Sequence, residues 1–107
     1  MNDIGGIRLL PDGSAAISGS LTFETVAGIY READSLFRES GHPATIDLAA
    51  VTTVDSAALA LLLEWQANRL AEQSQLRIIN APDGLLSLAR LADSVELLQL
   101  GGRPVPA

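Results

Sequence analysis

The chain has 107 residues, of which 48% are hydrophobic and 19% charged, a composition typical of one small globular domain and not of a disordered segment. It contains no cysteine and one histidine, which excludes disulfides, thiol nucleophiles and cysteine metal sites and argues against zinc chemistry. The net charge of −6 argues against a nucleic-acid partner, because binding a phosphate backbone requires a basic face.

Nothing in the sequence predicts a membrane span or a leader. The longest unbroken apolar run covers residues 57–63, far short of the ~20 residues that a bilayer requires. Residues 1–6 lack the basic start and apolar core of a signal peptide. We therefore expect a cytoplasmic protein without direct membrane insertion, for which a peripheral position on a membrane complex stays open.

The first half of the chain predicts a hairpin followed by a helix. Apolar runs at residues 7–10 and 15–21 flank the turn signal Pro11-Asp12-Gly13, as in two antiparallel strands. Thr22 has N-cap chemistry, so we expect a helix from there to the stop signal at residues 40–43. Apolar residues three or four apart predict its buried stripe: Phe23, Val26, Tyr30, Ala33 and Phe37.

The second half alternates predicted strands and helices. Residues 45–51 and 76–80 have the composition of buried strands, and a long helix is predicted between them, from Asp55 to about Gln73. A third helix begins near residues 81–84. Its apolar positions are Leu85, Leu88, Ala89 and Leu91.

The last predicted element is a further helical turn. Asp93 and Glu96 have capping-box spacing, and Gly101-Gly102 is expected to end the turn after Leu100. The element order predicts an α/β fold with parallel strands joined by right-handed crossovers. We expect one domain over residues 1–107, with a core from about 7 to 100. It would have a four-stranded mixed sheet and three to four helices, mainly on one face.

The start of the middle helix is the most informative segment. It follows a buried strand, so its N-terminus and free backbone N–H groups lie at the carboxyl end of the sheet. Asp55 is the predicted N-cap, accepting from Ala57 or Ala58. Ser56 then carries a hydroxyl that the cap does not need, which leaves solvation or contact with a partner as its role.

The middle helix is apolar on two sides. One set of residues is predicted to face the sheet: Leu59, Ala60, Leu63, Ala67 and Leu70. Nearly opposite lie Ala58, Leu61 and Trp65. Either a neighbouring helix covers this second side or a partner protein does, and the tryptophan favours the partner because tryptophan is enriched in interface hot spots.

Catalysis is not predicted. Ser56 lacks the flanking glycines of a nucleophile elbow, and the only histidine, His42, lies in a turn ahead of a strand. We expect no enzyme activity, no metal and no cofactor. A small enzyme of unknown chemistry is the more distant alternative.

The motif Val-Asp-Ser-Ala-Ala-Leu-Ala-Leu-Leu at residues 54–62, with the element order, resembles the STAS domain family. That family comprises the sulfate-transporter and anti-sigma-factor-antagonist domains. The resemblance extends from about residue 15 to residue 98, and residues 16–22 resemble the strand and glycine before the family's first helix. It implies the STAS fold.

Within this family the sequence is most similar to the MlaB branch, with Ala58 in place of a glycine. That resemblance implies a non-catalytic cytoplasmic subunit that binds and supports the ATPase (MlaF-like) of an ATP-binding-cassette phospholipid transporter. The resemblance also implies that the complex maintains outer-membrane lipid asymmetry and that the subunit lies at the inner membrane through it. The resemblance assigns Ser56 to the ATPase contact, framed by Asp55, and helix geometry adds the apolar residues Ala57, Ala58, Leu61 and Trp65.

The alternative within the family is an anti-sigma factor antagonist that binds a serine-kinase anti-sigma factor. Those proteins accept phosphate on a second serine, and here Ala57 stands at that position, so only Ser56 offers a hydroxyl. Genomic neighbours would separate the two functions. A homodimer formed through the Trp65 side of the helix is also open.

Overall fold

The computed structural model describes residues 6–92 and the backbone of residues 100–102. Within these residues there are three helices and five strands. The strands are β1 (Gly6–Leu9), β2 (Ala15–Leu21), β3 (Thr45–Val54), β4 (Arg77–Ala81) and β5 (Leu100–Gly102). The helices are α1 (Val26–Ser40), α2 (Ser56–Ala71) and α3 (Asp83–Leu91). None of these helices has the length and apolar character needed to cross a membrane.

The strands form one mixed sheet in the order β1-β2-β3-β4-β5. β1 pairs with β2 in antiparallel orientation, with Ile7 opposite Ile17, and the other three pairings are parallel. The predicted mixed α/β fold and its four strands are confirmed, and a short fifth strand extends the sheet. Gly101 and Gly102, which were predicted to end a helix, instead lie in β5. The rest of that predicted helical turn, residues 93–99, lies outside the described residues.

One face of the sheet is buried beneath the helices. Along β2 and β3 the buried side chains alternate with more exposed ones, so Ile17 and Leu48 are buried while Ser18 and Ala49 are exposed. Buried residues of strands and of all three helices form a single hydrophobic cluster. This layering places the ends of β2 and β3, and the starts of α1 and α2, at the same edge of the sheet.

Helix α1 begins later and with a different phase than its sequence predicts. A turn over residues 22–25 comes first, in which the Thr22 carbonyl accepts from the Thr25 and Val26 N–H groups. The prediction that Thr22 is the N-cap is therefore wrong, and Thr25 occupies that position. The buried stripe is Ile29, Ala33 and Phe37, spaced four apart. Two predicted core residues, Phe23 and Tyr30, are exposed.

Helix α2 is rotated by roughly a third of a turn from the predicted phase. Its buried residues are Ala58, Leu59, Leu61, Leu62, Trp65 and Gln66. Of the predicted sheet-facing stripe only Leu59 is buried and Leu63 partly so; Ala60, Ala67 and Leu70 are exposed. Because both sides of this helix are apolar, its periodicity does not select a phase. The phase is set by tertiary contacts instead: the Trp65 indole packs against Phe37, and the buried Gln66 amide forms hydrogen bonds with Leu76.

Candidate partner-binding surface

Asp55 initiates α2 as predicted. Its backbone is extended, with φ −140° and ψ −168°, and its Oδ1 accepts from the Ala57 N–H at 2.9 Å. The carboxylate thus satisfies one of the free N–H groups at the helix start. Its other oxygen, Oδ2, accepts from the Phe23 N–H at 3.0 Å. A single side chain therefore joins the start of α2 to the turn before α1.

Ser56, the first residue of α2, is exposed. Its hydroxyl has no hydrogen-bond partner among residues 6–92, where Asp55 already caps the helix. The side chain is therefore free to meet another molecule. Its neighbour Ala57 is half-buried, so the surface immediately around the hydroxyl is small and smooth.

The other predicted contact residues lie deeper. Ala58 is fully buried and Trp65 is only 8% exposed, so neither side chain offers much surface in the folded chain, and their contact with a partner stays a prediction. Helix α1 covers the indole, since the Phe37 ring meets it edge-on with centroids 5.9 Å apart. The same burial leaves little of the indole exposed for a homodimer formed through the Trp65 side of the helix, which also stays a prediction. Leu61 is 5% exposed and contributes only its outer edge.

That edge of Leu61 lies in a groove between α1 and α2, which we call the α1–α2 groove. Ser56 lies at the N-terminal end of its α2 wall. The apolar lining comes from both helices: Phe23, Val26, Ala27 and Tyr30 on one side, and Ala57, Ala60 and Leu61 on the other. The polar lining residues are Ser56, Arg31 and Glu64. Predicted contact residues Ser56, Ala57 and Leu61 are thus brought together, with Asp55 beside them.

Sequence reasoning missed Phe23 and Tyr30 as surface residues, because their spacing also fits a buried stripe. Phe23 is 84% exposed and Tyr30 is 39% exposed. The competing stripe Ile29, Ala33, Phe37 has a regular four-residue spacing. With that stripe buried, Tyr30 lies to one side of it and Phe23 lies in the turn before the helix. The four-residue spacing is therefore the signal that would have identified Phe23 and Tyr30 as surface residues.

The rim of the surface is acidic. Glu24 follows Phe23 and Glu64 lines the groove, and both are exposed. Asp83, at the start of α3, lies near the end of β3 but outside the groove lining. The proximity of α3 is visible at Gly84, where an added Cβ would lie 3.2 Å from a Val54 methyl group. The groove lining contains one basic residue, Arg31. A complementary surface would therefore be apolar and basic.

The single histidine lies away from this surface. His42 is exposed and its ring lies beside Phe37, with centroids 5.3 Å apart. Within the described residues no three histidine or acidic side chains come together in an arrangement that could hold a metal ion.

Comparison with known proteins identifies the family of this chain. The family model described as "Mlab, STAS domain" matches residues 12–99, which include all of β2, α1, β3, α2, β4 and α3. A search of curated proteins found none that matches the chain. The match spans most of the sequence, and the chain therefore belongs to the MlaB-type STAS domain family.

Proposed function

We propose that this STAS domain is a non-catalytic subunit that binds the ATPase subunit, MlaF-like, of an ATP-binding-cassette phospholipid transporter. In this proposal it lies on the cytoplasmic side of the inner membrane through that complex, which maintains outer-membrane lipid asymmetry. The observation that carries the proposal is the exposed Ser56 hydroxyl, which has no partner in the described part of the chain and borders an apolar groove.

The chemistry of the surface supports docking. A small hydroxyl and an alanine at the helix start permit close approach of another backbone. The groove supplies apolar area, including the exposed Phe23 ring. Aromatic side chains at the centre of an apolar patch are frequent hot spots. The acidic rim favours a basic counter-surface and increases the rate of encounter at low salt.

The effect on the ATPase follows from linkage. A subunit that binds one conformation of the ATPase better than another shifts the population toward that conformation. The STAS subunit would thereby raise ATPase activity or assembly without contacting the nucleotide. This mechanism requires only a stable interface, which agrees with the binding role typical of STAS domains.

Co-expression with the ATPase and permease subunits tests the proposal. Ser56→Arg places bulk and positive charge where a basic, closely approaching surface is expected, so it should abolish co-purification and lower ATPase activity. Ser87→Arg is the matched control, because Ser87 is also an exposed helical serine but lies on α3, outside the groove lining. Normal co-purification of Ser56→Arg would refute the site.

A phosphorylation assay on the purified chain distinguishes this function from that of an anti-sigma factor antagonist. Ser56 is the hydroxyl residue at the helix start, and Ala57 follows it without one. Incubation with a serine-kinase anti-sigma factor and ATP, followed by intact mass measurement, should leave the mass unchanged. Phosphate on Ser56 would favour the regulatory function instead.

A further inference from the structure

The Asp55 carboxylate binds backbone N–H groups of two different elements. Oδ1 accepts from Ala57 in the first turn of α2, and Oδ2 accepts from Phe23 in the turn before α1. Capping the helix requires only the first of these bonds. The second bond spans 32 residues of sequence, and local helix chemistry gives no reason for it.

The turn that carries Phe23 is also stabilised by hydrogen bonds of the Thr25 hydroxyl. The Thr25 hydroxyl oxygen accepts from the Thr22 N–H at 2.9 Å, and the hydroxyl donates to the Ser20 carbonyl at 2.8 Å. With Asp55 bound to Phe23, the turn is tied to the end of β2 and to the start of α2. The backbone of Phe23 is therefore fixed although its ring is 84% exposed.

An exposed aromatic ring on a fixed backbone is suited to binding. Burying it on a partner removes apolar surface from water, and a turn already ordered loses little conformational freedom on association. The fixed turn also keeps Phe23 on the same side of the molecule as Ser56, since one carboxylate joins Phe23 to the residue after Ser56.

We propose that Asp55 is a positioning residue that holds Phe23 beside Ser56 as the apolar anchor for the ATPase subunit. This inference rests on the proposed function and deepens it. The segment that Phe23 meets is an apolar surface of the ATPase flanked by lysine or arginine, because two exposed acids lie there: Glu24 next to Phe23, and Glu64 in the groove lining.

Asp55→Asn separates the two roles of the carboxylate. An asparagine has one acceptor oxygen, which suffices to cap α2, but its amide nitrogen cannot accept from the second N–H. In the free domain we expect the Phe23 amide to exchange with deuterium about ten-fold faster or more, while the thermal midpoint falls only slightly. Affinity for the ATPase should fall about ten-fold, as for loss of one strong contact.

Two comparisons make the test specific. Glu39→Gln removes the same charge from an exposed acid near the C-terminal end of α1, outside the groove lining, and should leave both Phe23 exchange and affinity near wild type. In a Phe23→Ala background, Asp55→Asn should add little further loss of affinity, because its effect passes through the ring.

Three results would overturn the inference. If the Phe23 amide exchanges at the wild-type rate in Asp55→Asn, Asp55 does not hold the Phe23 backbone. If that amide exchanges fast but affinity for the ATPase stays at the wild-type value, holding Phe23 does not contribute to binding. Additive losses in the double variant would show that Asp55 acts independently of Phe23. Failure of the wild-type chain itself to bind the ATPase is distinct from these results: it refutes the proposed function, and with it the anchor.

Discussion

Gln66 places both polar ends of its side-chain amide on one residue, Leu76. Nε2 donates to the Leu76 carbonyl oxygen and Oε1 accepts from the Leu76 N–H, both at 2.8 Å. Leu76 directly precedes β4, so α2 supplies partners that a neighbouring strand would otherwise provide. Gln66 is the one fully buried polar side chain in the described part of the chain. The pair fixes the rotation of α2 and the entry into β4 together.

Replacing Gln66 with leucine should destabilise the domain strongly. The variant leaves the buried N–H and carbonyl of Leu76 without partners, and each unsatisfied group costs about 1–3 kcal/mol. We expect the free energy of unfolding to fall by about 2–4 kcal/mol in urea titrations. The control is Asn68→Ala, at an exposed position of the same helix. Equal stability of the two variants would contradict this role for Gln66.

Substitution of Trp65 should lower the stability of the core, and its fluorescence should not respond to partner binding. It is the single tryptophan of the chain, and its indole is packed against Phe37. Trp65→Ala should lower the free energy of unfolding by about 3–5 kcal/mol, and Trp65→Phe by less, because a ring still fills part of the space. Native tryptophan emission should be blue-shifted and should not change when the ATPase subunit binds. A marked emission change on binding with unaltered stability of Trp65→Ala would place the indole at the interface.

The sequence predicts those features of the fold that depend on local chemistry. Turn and stop signals locate β2 to within a residue, and the Asp55 side chain caps α2 as its residue type predicts. Strand-like runs separated by helices predict the mixed sheet. These features need only the chain itself, because hydrogen-bonding capacity and backbone preference are encoded residue by residue.

The features that were mispredicted depend on tertiary packing. α2 carries apolar residues on both sides, so periodicity cannot say whether Trp65 or Leu70 is inside. The structure decides through contacts with residues distant in sequence, Phe37 and Leu76. Asp47, within β3, also has a distant partner: its Oδ1 accepts from the Ala49 N–H at 2.8 Å, a local bond, and from the Asn80 side chain at 2.9 Å, across 33 residues of sequence. For the candidate site, the sequence identifies Ser56, but the α1–α2 groove depends on the phases of two helices.

Phe23 should affect binding without affecting stability. Its ring is so exposed that Phe23→Ala should change the free energy of unfolding by less than about 0.5 kcal/mol. If the ring is an anchor, the same variant should weaken ATPase binding by at least about 2 kcal/mol, roughly thirty-fold in Kd. Leu91→Ala is the matched control, because Leu91 is 86% exposed but lies at the end of α3. Calorimetry on both variants checks the prediction, and equal affinities would remove Phe23 from the interface.

Glu32 should protect the edge of the sheet. β1 is an edge strand, and the Ile7 N–H donates to Glu32 Oε1 of α1 at 2.8 Å. An edge strand with free N–H groups can pair with another chain, so the carboxylate both stabilises β1 and blocks such pairing. Glu32→Ala should lower the free energy of unfolding by about 1.5 kcal/mol, the net value of a hydrogen bond to a charged group.

Conservative and control variants make the prediction for Glu32 specific. Glu32→Gln keeps an acceptor oxygen and should lose less stability than Glu32→Ala. Glu39→Ala removes an exposed acid near the end of the same helix and should leave unfolding within about 0.5 kcal/mol of wild type. Amide exchange gives a local measurement, since the Ile7 amide should exchange faster in Glu32→Ala but not in Glu39→Ala. If Ile7 exchanges equally slowly in both, the N–H is protected by another group and Glu32 does not guard the edge.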